Sequence, residues 1–257
     1  MTNPKRTILI TGAGSGLGRG LSLCLASQGN TVLATDLQEE GAQETVAGIT
    51  AAGGQATAHK LDVTSEEDVE RFFRSLGECS VDVLINNAGL QHVAKVEEFP
   101  AAKWELLLEV MVKGTFLMTR AVLPGMRARG CGRIILIGSI HSLVASPYKS
   151  AYVTAKHALL GFAKAVALET AGVDITINTI CPAYIRTPLV EAQIKDQART
   201  RQIPEEEVIE RIMLQPMPKK AFITVEEVAA AVGYLASPLA RNVTGQTITI
   251  DGGWTVQ

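Results

Sequence analysis

Short runs of aliphatic and β-branched residues alternate along the chain with longer segments in which apolar residues recur every three or four positions. The central runs are apolar almost throughout, which is typical of strands buried on both faces of a parallel sheet. Seven runs predict strands: RTILIT, NTVLAT, QATAHKLDV, VDVLINN, GRIILIGS, DITINTIC and QTITI. The longer segments predict helices near residues 18–28, 39–52, 66–77, 101–128, 151–170 and 225–236. This alternation predicts the α/β class, as a doubly wound parallel sheet of about seven strands with helices on both faces.

The predicted elements run through the chain without a break that would divide it. The 257 residues contain no internal repeat or linker, and 47% of them are hydrophobic, which suffices for a large buried core. The sequence therefore predicts a single domain over residues 1–257. Residues 188–222 differ because they are charged, helical in pattern, and interrupt the alternation before the last strand. We expect this segment to form a helical lid over the substrate; the alternative is a surface elaboration used for packing.

Charge and cysteine usage narrow the classes of partner. The net charge is −2 and the charged residues are spread along the chain, so neither nucleic acid nor a membrane is an expected partner. Small molecules and further copies of the chain are expected instead. Cys24, Cys79, Cys131 and Cys181 lack a Cys-x-x-Cys spacing, which favours reduced thiols over a metal site. The amino terminus enters a strand without an apolar signal segment, and no uninterrupted membrane-spanning run follows, so we expect a cytoplasmic protein.

A glycine-rich segment, TGAGSGLGRG, joins the first predicted strand to the first helix. Gly12, Gly16 and Gly18 have the spacing Gly-x-x-x-Gly-x-Gly. Glycines there let the backbone approach a pyrophosphate, whose charge is held by amides at the helix N-terminus. This context predicts a Rossmann-type dinucleotide site. Asp36, about 20 residues on, can accept hydrogen bonds from a ribose and would repel a 2′-phosphate, so NAD is predicted rather than NADP. Arg19 is the residue that favours the opposite preference.

Tyr152 and Lys156 are four residues apart in the predicted helix 151–170. Residues at this spacing are neighbours on one helix face, so the ammonium can approach the phenol. The spacing is common by chance and carries no weight alone. A phenolate can remove the proton of a secondary alcohol while hydride leaves for a nicotinamide. A free phenol has a pKa near 10, and lowering it by roughly three units requires about 4 kcal/mol, which Lys156 and the positive nicotinamide ring are expected to supply.

Five motifs occur together in a fixed order. They are Gly-x-x-x-Gly-x-Gly, LDV at 61–63, NNAG at 86–89, Ser139 thirteen residues before Tyr152, and Tyr-x-x-x-Lys. In this combination the chain resembles the short-chain dehydrogenase/reductases over nearly its whole length. The resemblance implies a homotetramer and a catalytic set of Ser139, Tyr152 and Lys156, with Ser139 holding the substrate oxygen. Tyr152 and Lys156 would also contact the cofactor, as would Gly12, Ser15, Gly16, Leu17, Gly18, Asp36, Asp62, Val63, Asn87, Ala88, Gly89, Ile185 and Thr187.

Taken singly, several of these residues have a simpler interpretation. Asp62 could cap a helix, the NNAG segment could be a turn, and Thr187 could merely precede a proline. Their joint occurrence in the order of the family favours the cofactor site.

Four segments around the predicted site carry a closer resemblance, to bacterial D-3-hydroxybutyrate dehydrogenases. They are LQHV at 90–93, IHSLVASPYKSAY at 140–152, CPAYIRTPLVEAQI at 181–194 and DGGWTVQ at 251–257. The implied substrate-binding residues are Gln91, His141, Lys149, Tyr184, Gln193 and Trp254. A cluster of donors that includes a cation suits a small carboxylate. Taken singly, Lys149 could be a solvated surface lysine and His141 a histidine without a ligand.

The activity implied is the NAD-dependent interconversion of a short 3-hydroxy acid and its 3-oxo acid, above all D-3-hydroxybutyrate and acetoacetate, as in ketone body metabolism. Two alternatives stay open. One is the same chemistry on another carbonyl, such as a 3-oxoacyl ester or a cyclic ketone. The other is an NAD-binding sensor with little turnover.

The chain departs from these families at three positions. Met111 stands where an asparagine usually helps to hold a proton-relay water, and a thioether cannot donate a hydrogen bond. Tyr184 replaces a tryptophan, which could enlarge the pocket or change its polarity. Ala183 replaces a glycine and could alter the backbone slightly. The first two changes leave room for a different or longer hydroxy acid.

Overall fold

The structure is a computed structural model that describes residues 5–256, apart from the side chains of residues 189, 196, 200 and 201. Its centre is one sheet of seven parallel strands in the order β3-β2-β1-β4-β5-β6-β7. The strands are β1 (Thr7–Thr11), β2 (Thr31–Asp36), β3 (Gln55–Lys60), β4 (Val83–Asn86), β5 (Cys131–Ile137), β6 (Asp174–Pro182) and β7 (Thr247–Ile250). The predicted doubly wound parallel sheet is therefore confirmed.

Helices cover both faces of this sheet. They are α1 (Gly16–Ser27), α2 (Glu39–Ala51), α3 (Glu66–Ser75), α4 (Ala101–Leu108), α5 (Gly114–Arg129), α6 (Ser150–Thr170), α7 (Pro188–Arg201), α8 (Glu205–Val208) and α9 (Val225–Ala236). Side chains of a strand alternate between the faces, so Ile8 and Ile10 pack with α1, α2 and α9, whereas Leu9 packs with α3, α5 and α6. Two apolar cores result, one on each side of the sheet.

The strand order reverses direction between β1 and β4, which are neighbours although the chain makes two other strands between them. Crossovers leave these two strands toward opposite ends of the sheet, so a crevice opens at their carboxyl ends. The glycine-rich segment follows β1, and the segments after β4, β5 and β6 end at the same edge. The topology thus gathers the predicted motifs on one side of the molecule.

The predicted helix 101–128 is two α-helices joined by one turn of π-helix at Glu109–Lys113. A π turn adds one residue to the helical repeat without a change in apolar pattern, so the sequence predicted a single α-helix here. Met111 lies within this turn. Its carbonyl accepts a hydrogen bond from Thr115 Oγ1 over 2.7 Å.

Residues 188–222 leave the sheet after β6 and return before α9. They form α7, α8 and a π-helical turn, which pack around a small apolar cluster of Val190, Ile194, Val208 and Met213. Ile185 and Ile223 form a parallel bridge that ties the two ends of the segment together. The segment lies beside the carboxyl ends of the strands, and its role as a lid stays a prediction. Within residues 5–256, no helix combines the length and apolar character needed to cross a bilayer.

Candidate active site

The loop between β1 and α1 has a backbone that needs its glycines. Gly12 and Gly16 have φ angles of 65° and 52°, in the left-handed region that favours glycine. A Cβ on Gly18 would lie 2.1 Å from the carbonyl oxygen of Gly12, so this position admits no side chain. The loop is therefore close-packed, and α1 begins directly from it with its amide groups directed at the crevice.

Asp36 at the end of β2 lies against this loop. Its Oδ2 accepts a hydrogen bond from the backbone N–H of Gly14 at 2.8 Å, and its Oδ1 accepts one from Gln38 N at 2.9 Å. A negative charge consequently stands at the rim of the crevice next to the glycines.

Arg19 is held by polar partners of its own. Its Nη2 donates to Gly14 O and forms an ion pair of 2.8 Å with Glu44, and its Nε donates to Thr45 Oγ1 at 3.1 Å. The guanidinium therefore joins α1 to α2, with its charge balanced by a carboxylate.

Asn87 and Asp62 lie on the floor of the crevice with internal partners. Asn87 Nδ2 donates to the carbonyls of Thr11 and Gly12 at 2.9 and 3.1 Å, which fixes the segment after β4 to the segment after β1. Asp62 Oδ1 accepts from the backbone N–H and the hydroxyl of Thr64 at 2.9 and 2.7 Å. These bonds orient both side chains and leave acceptor capacity on the Asp62 carboxylate.

One cleft of about 440 Å³ runs from the glycine loop to the ends of β5 and β6. Every residue that the sequence assigned to the cofactor lines it: Gly12, Ser15, Gly16, Leu17, Gly18, Asp36, Asp62, Val63, Asn87, Ala88, Gly89, Tyr152, Lys156, Ile185 and Thr187. Ser139, Gln91, His141, Lys149, Tyr184 and Gln193 line it as well. Trp254 is the exception among the assigned residues, because it packs behind Tyr184 and His141.

Tyr152 and Lys156 lie on the same face of α6, as their spacing predicts. Lys156 Nζ is 5.6 Å from the centre of the Tyr152 ring and donates a hydrogen bond of 2.7 Å to the carbonyl of Ile137 at the end of β5. Burial lowers the pKa of Lys156 to about 8. The bond to Ile137 therefore holds a desolvated ammonium beside the phenol.

The pKa of Tyr152 lies above its ordinary value, and the lowering predicted through Lys156 and the positive nicotinamide ring stays a prediction. Burial raises it, and a hydrogen bond with Ser139 opposes the rise only in part. Desolvation penalises the phenolate more than the protein's own groups stabilise it. A positive charge close to the phenol oxygen, such as that of a bound nicotinamide ring, would favour the phenolate.

Ser139 opens a short 3₁₀ turn, Ile140–Ser142, directly after β5. Its Oγ accepts a hydrogen bond from His141 N at 3.2 Å, and its backbone N–H donates one to Ser142 Oγ at 3.2 Å. Because the oxygen accepts from the backbone, its hydroxyl hydrogen is available to Tyr152 or to an oxygen in the cleft. The bond to Ser142 fixes this turn, and sequence reasoning did not single that residue out although the Ser-x-x-Ser spacing is a capping signal.

A cluster of polar and aromatic side chains stands next to Ser139. Lys149 Nζ lies 3.5 Å from His141 Nε2 and 3.5 Å from the hydroxyl of Tyr184. The Tyr184 ring stacks on Trp254 with 5.9 Å between the ring centres and 29° between the planes. His141 meets the rings of Tyr152 and Trp254 edge-on at 6.1 and 5.9 Å. The β5, β6 and carboxyl-terminal segments thereby enclose one ammonium.

Burial determines the charges in this cluster. It lowers the pKa of Lys149 to about 8, and it lowers that of His141 to about 3 with help from the Lys149 charge. It raises the pKa of Tyr184 to about 12. At neutral pH the cluster consequently contains a cationic lysine, a neutral histidine and a neutral phenol.

Gln91 and Gln193 meet each other across the cleft. Gln193 Nε2 on α7 donates to Gln91 Oε1 at 2.8 Å. Gln91 Nε2 and Gln193 Oε1 are buried and have no hydrogen-bond partner among the residues that the structure describes. The pair therefore retains unused hydrogen-bonding capacity in the cleft that Lys149 also lines.

Met111 occupies an apolar environment behind Tyr152. It is 1% exposed and packs with Leu107, Ala151 and Ala155 in a cluster that also contacts Tyr152. The neighbouring Val110 lines the cleft from the same π turn. The side of Tyr152 that faces Met111 is thus apolar.

The chain is similar to known proteins over nearly its whole length. A family model described as enoyl-(acyl carrier protein) reductase matches residues 12–255. A D-beta-hydroxybutyrate dehydrogenase of Rhizobium meliloti is 43% identical over 98% of this chain and 99% of its own length, and one of Cupriavidus necator is 38% identical over 98% of each.

A solved structure of an actinorhodin polyketide ketoreductase variant with NADPH superposes with a TM-score of 0.93. It is 32% identical and covers 97% of both chains. The fold, the glycine loop at the switch between β1 and β4, and these matches lead to one conclusion: the chain belongs to the short-chain dehydrogenase/reductase family, and it is an oxidoreductase that binds a nicotinamide dinucleotide.

Proposed function

We propose that the protein is an NAD-dependent dehydrogenase that interconverts a short 3-hydroxy acid and its 3-oxo acid, with D-3-hydroxybutyrate and acetoacetate as the pair. The observation that carries the proposal is the buried ammonium of Lys149, 7% exposed, in the same cleft as Tyr152. No carboxylate of the described residues pairs with this ammonium. A buried, unpaired cation lowers stability, so we infer that the site serves an anionic ligand. The two D-beta-hydroxybutyrate dehydrogenases similar to this chain support the same substrate.

The preference for NAD rests on Asp36. Its carboxylate stands beside the glycine loop, where it can accept hydrogen bonds from ribose hydroxyls and repels a 2′-phosphate. Arg19 does not offset this charge, because it is bound to Gly14 O and paired with Glu44. The glycine loop fits a pyrophosphate, since its backbone positions exclude side chains and α1 begins at the loop.

Three side chains carry out the proton transfer of the proposed reaction. A nicotinamide bound in this cleft would supply the acceptor for the hydride of the alcohol carbon. Tyr152 then serves as the base for the alcohol proton, and Lys156, held by Ile137 O, stabilises the phenolate. Ser139 donates its hydroxyl hydrogen to the substrate oxygen in this proposal, since its Oγ already accepts from His141 N. In the reverse direction the phenol returns the proton to the carbonyl oxygen.

The carboxylate of the substrate would lie against Lys149, with the amides of Gln91 and Gln193 completing the site. The free N–H of this amide pair suits a carboxylate oxygen. His141 supports Lys149 from the other side and stays neutral, so it adds no competing charge. Residues 188–222 act as the lid in this proposal, since Gln193 contributes to the site from α7.

The test is the formation of NADH, followed by absorbance, with D-3-hydroxybutyrate, its L-enantiomer and 2-butanol in parallel, and with NADP in place of NAD. We expect turnover of the D-acid with NAD to exceed that of the other combinations. Activity on 2-butanol without activity on the acid would replace the proposal with a dehydrogenase of neutral alcohols. A preference for NADP would contradict the role of Asp36.

A further inference from the structure

The hydroxyl of Tyr184 is a polar group of the cleft whose hydrogen has no acceptor within the described part of the chain. Its contact is with Lys149 Nζ at 3.5 Å, and an ammonium can only donate, so the phenol oxygen acts as the acceptor there. The phenolic hydrogen must then point away from Lys149. Tyr184 lines the cleft, so this hydrogen can be directed into it.

The ammonium group of Lys149 also has hydrogen-bond donors in excess of its acceptors. Its three N–H groups meet two acceptors, His141 Nε2 and the Tyr184 oxygen, and both distances of 3.5 Å are longer than a common hydrogen bond. At least one N–H therefore has no acceptor among residues 5–256. The cleft consequently presents an ammonium donor and a hydroxyl donor side by side.

The position of the Tyr184 ring is fixed from two sides. The ring stacks on Trp254, and the backbone carbonyl of Tyr184 accepts a hydrogen bond from Ile223 N at 2.9 Å. Both ends of the 188–222 segment are held at this point by the bridge between Ile185 and Ile223. The hydroxyl therefore keeps its place next to Lys149 without a ligand to order it, which reduces the entropic cost of binding.

We propose that Tyr184 donates its phenolic hydrogen to one oxygen of the substrate carboxylate while Lys149 donates to the other, so that the two side chains form a two-point carboxylate clamp. This inference rests on the proposed function, because it assigns a further residue to the same site. A carboxylate has two equivalent acceptor oxygens, whereas an amide, ester or ketone of the same length has one carbonyl oxygen. The clamp therefore selects free acids over neutral or esterified carbonyl compounds.

The experiment measures binding without chemistry. Isothermal titration calorimetry compares the binding of butyrate and butyramide to the enzyme saturated with NADH. Both ligands lack the 3-oxygen, so neither can react. Tyr184→Phe removes the hydroxyl and keeps the stacking on Trp254. Tyr234→Phe, on α9 and 46% exposed, is the matched control. Lys149→Met reports on the carboxylate site itself.

We expect Tyr184→Phe to weaken butyrate about ten- to a hundredfold, as loss of a hydrogen bond to a charged group does, and to change butyramide less than about twofold. Unchanged butyrate binding, or equal weakening of both ligands, overturns the clamp. If Lys149→Met abolishes the preference for butyrate while Tyr184→Phe does not, the proposed function stands and this inference fails. If the wild-type enzyme does not prefer butyrate, the proposed carboxylate site is wrong and the clamp with it.

Discussion

Gln193 on α7 donates a hydrogen bond to Gln91 over 2.8 Å, although 102 residues separate the two in the chain. The bond joins the 188–222 segment to the loop after β4, in the cleft that Lys149 also lines. The same amides have one donor and one acceptor left over, both buried. The position of the 188–222 segment therefore determines how the two amide groups are presented to a substrate.

This coupling predicts that the two glutamines do not act independently. Gln91→Ala and Gln193→Ala are each expected to raise the KM for the hydroxy acid about five- to tenfold, because each removes a hydrogen bond to an anion and releases the other amide. In the double variant, KM should rise by less than the product of the two single increases. The difference corresponds to a coupling free energy of about 0.5–1.5 kcal/mol. Kinetics of NADH formation on all four proteins measure it, and strict additivity would show that the bond has no part in binding.

Asp36→Asn is expected to shift the cofactor preference. The substitution removes the negative charge and keeps one oxygen that can accept from Gly14 N, while the bond that the second oxygen accepts from Gln38 N is lost. We expect the KM for NAD to rise about tenfold and that for NADP to fall, since the repulsion of a 2′-phosphate is lost. Glu39→Gln, an exposed acid in the first turn of α2, is the control. An unchanged ratio of the two KM values would assign the preference to other residues.

The fold was accessible from the sequence because its signals are local. Apolar runs separated by helical patterns determine a doubly wound sheet. The predicted helices near 18–28, 39–52 and 225–236 agree with α1, α2 and α9 within two residues at each end. The π turn at Glu109–Lys113 was not accessible, because an extra residue in a helical turn leaves the apolar periodicity almost unchanged.

The sequence predicts the parts of the candidate site whose residues lie close together in the chain. Tyr152 and Lys156 meet as their four-residue spacing requires, but the direction of the Tyr152 pKa depends on burial, which spacing does not reveal. The contact between Lys149 and Tyr184 joins residues 35 apart that become neighbours through the order of β5 and β6 in the sheet. Long-range polar contacts of this kind require the structure.

Tyr152→Phe is expected to separate chemistry from binding. The substitution removes the proposed base of the reaction, so kcat should fall at least about a hundredfold. The dissociation constant of NADH should stay within about twofold, because the ring and Lys156 remain. Tyr148→Phe, an exposed tyrosine just before α6, is the control. Retained turnover in Tyr152→Phe would exclude this phenol as the base.

Met111 is expected to take no part in proton transfer. Its side chain lies in an apolar cluster, so Met111→Leu, which preserves volume and polarity, should leave kcat within about twofold. Met111→Asn should lower the free energy of unfolding by about 1–3 kcal/mol, because it buries an amide without a partner. Urea unfolding and steady-state kinetics measure the two effects. A large loss of kcat in Met111→Leu would show that the thioether is needed for the reaction.

The buried charge of Lys149 should lower the free energy of unfolding, although the proposed carboxylate site requires it. Burial lowers its pKa from 10.5 to about 8, so the unfolded chain binds this proton more tightly than the folded protein does. Below pH 8 the lysine is charged in both states, and the folded state carries a penalty of about 3 kcal/mol. As the pH rises from about 8 to 10.5 the folded state releases the proton first, and the penalty disappears.

Lys149→Met is therefore expected to raise the free energy of unfolding by about 1–3 kcal/mol at pH 7, with a gain that vanishes near pH 10.5. The same variant should lose most of its affinity for the hydroxy acid, since the carboxylate loses its cation. Urea unfolding at pH 7 and pH 10 measures the first effect, with the exposed Lys103→Met as the control. A variant less stable than the wild type at pH 7 would mean that the contacts of Lys149 with His141 and Tyr184 outweigh its desolvation, so that the ammonium holds the cluster together rather than awaiting an anion.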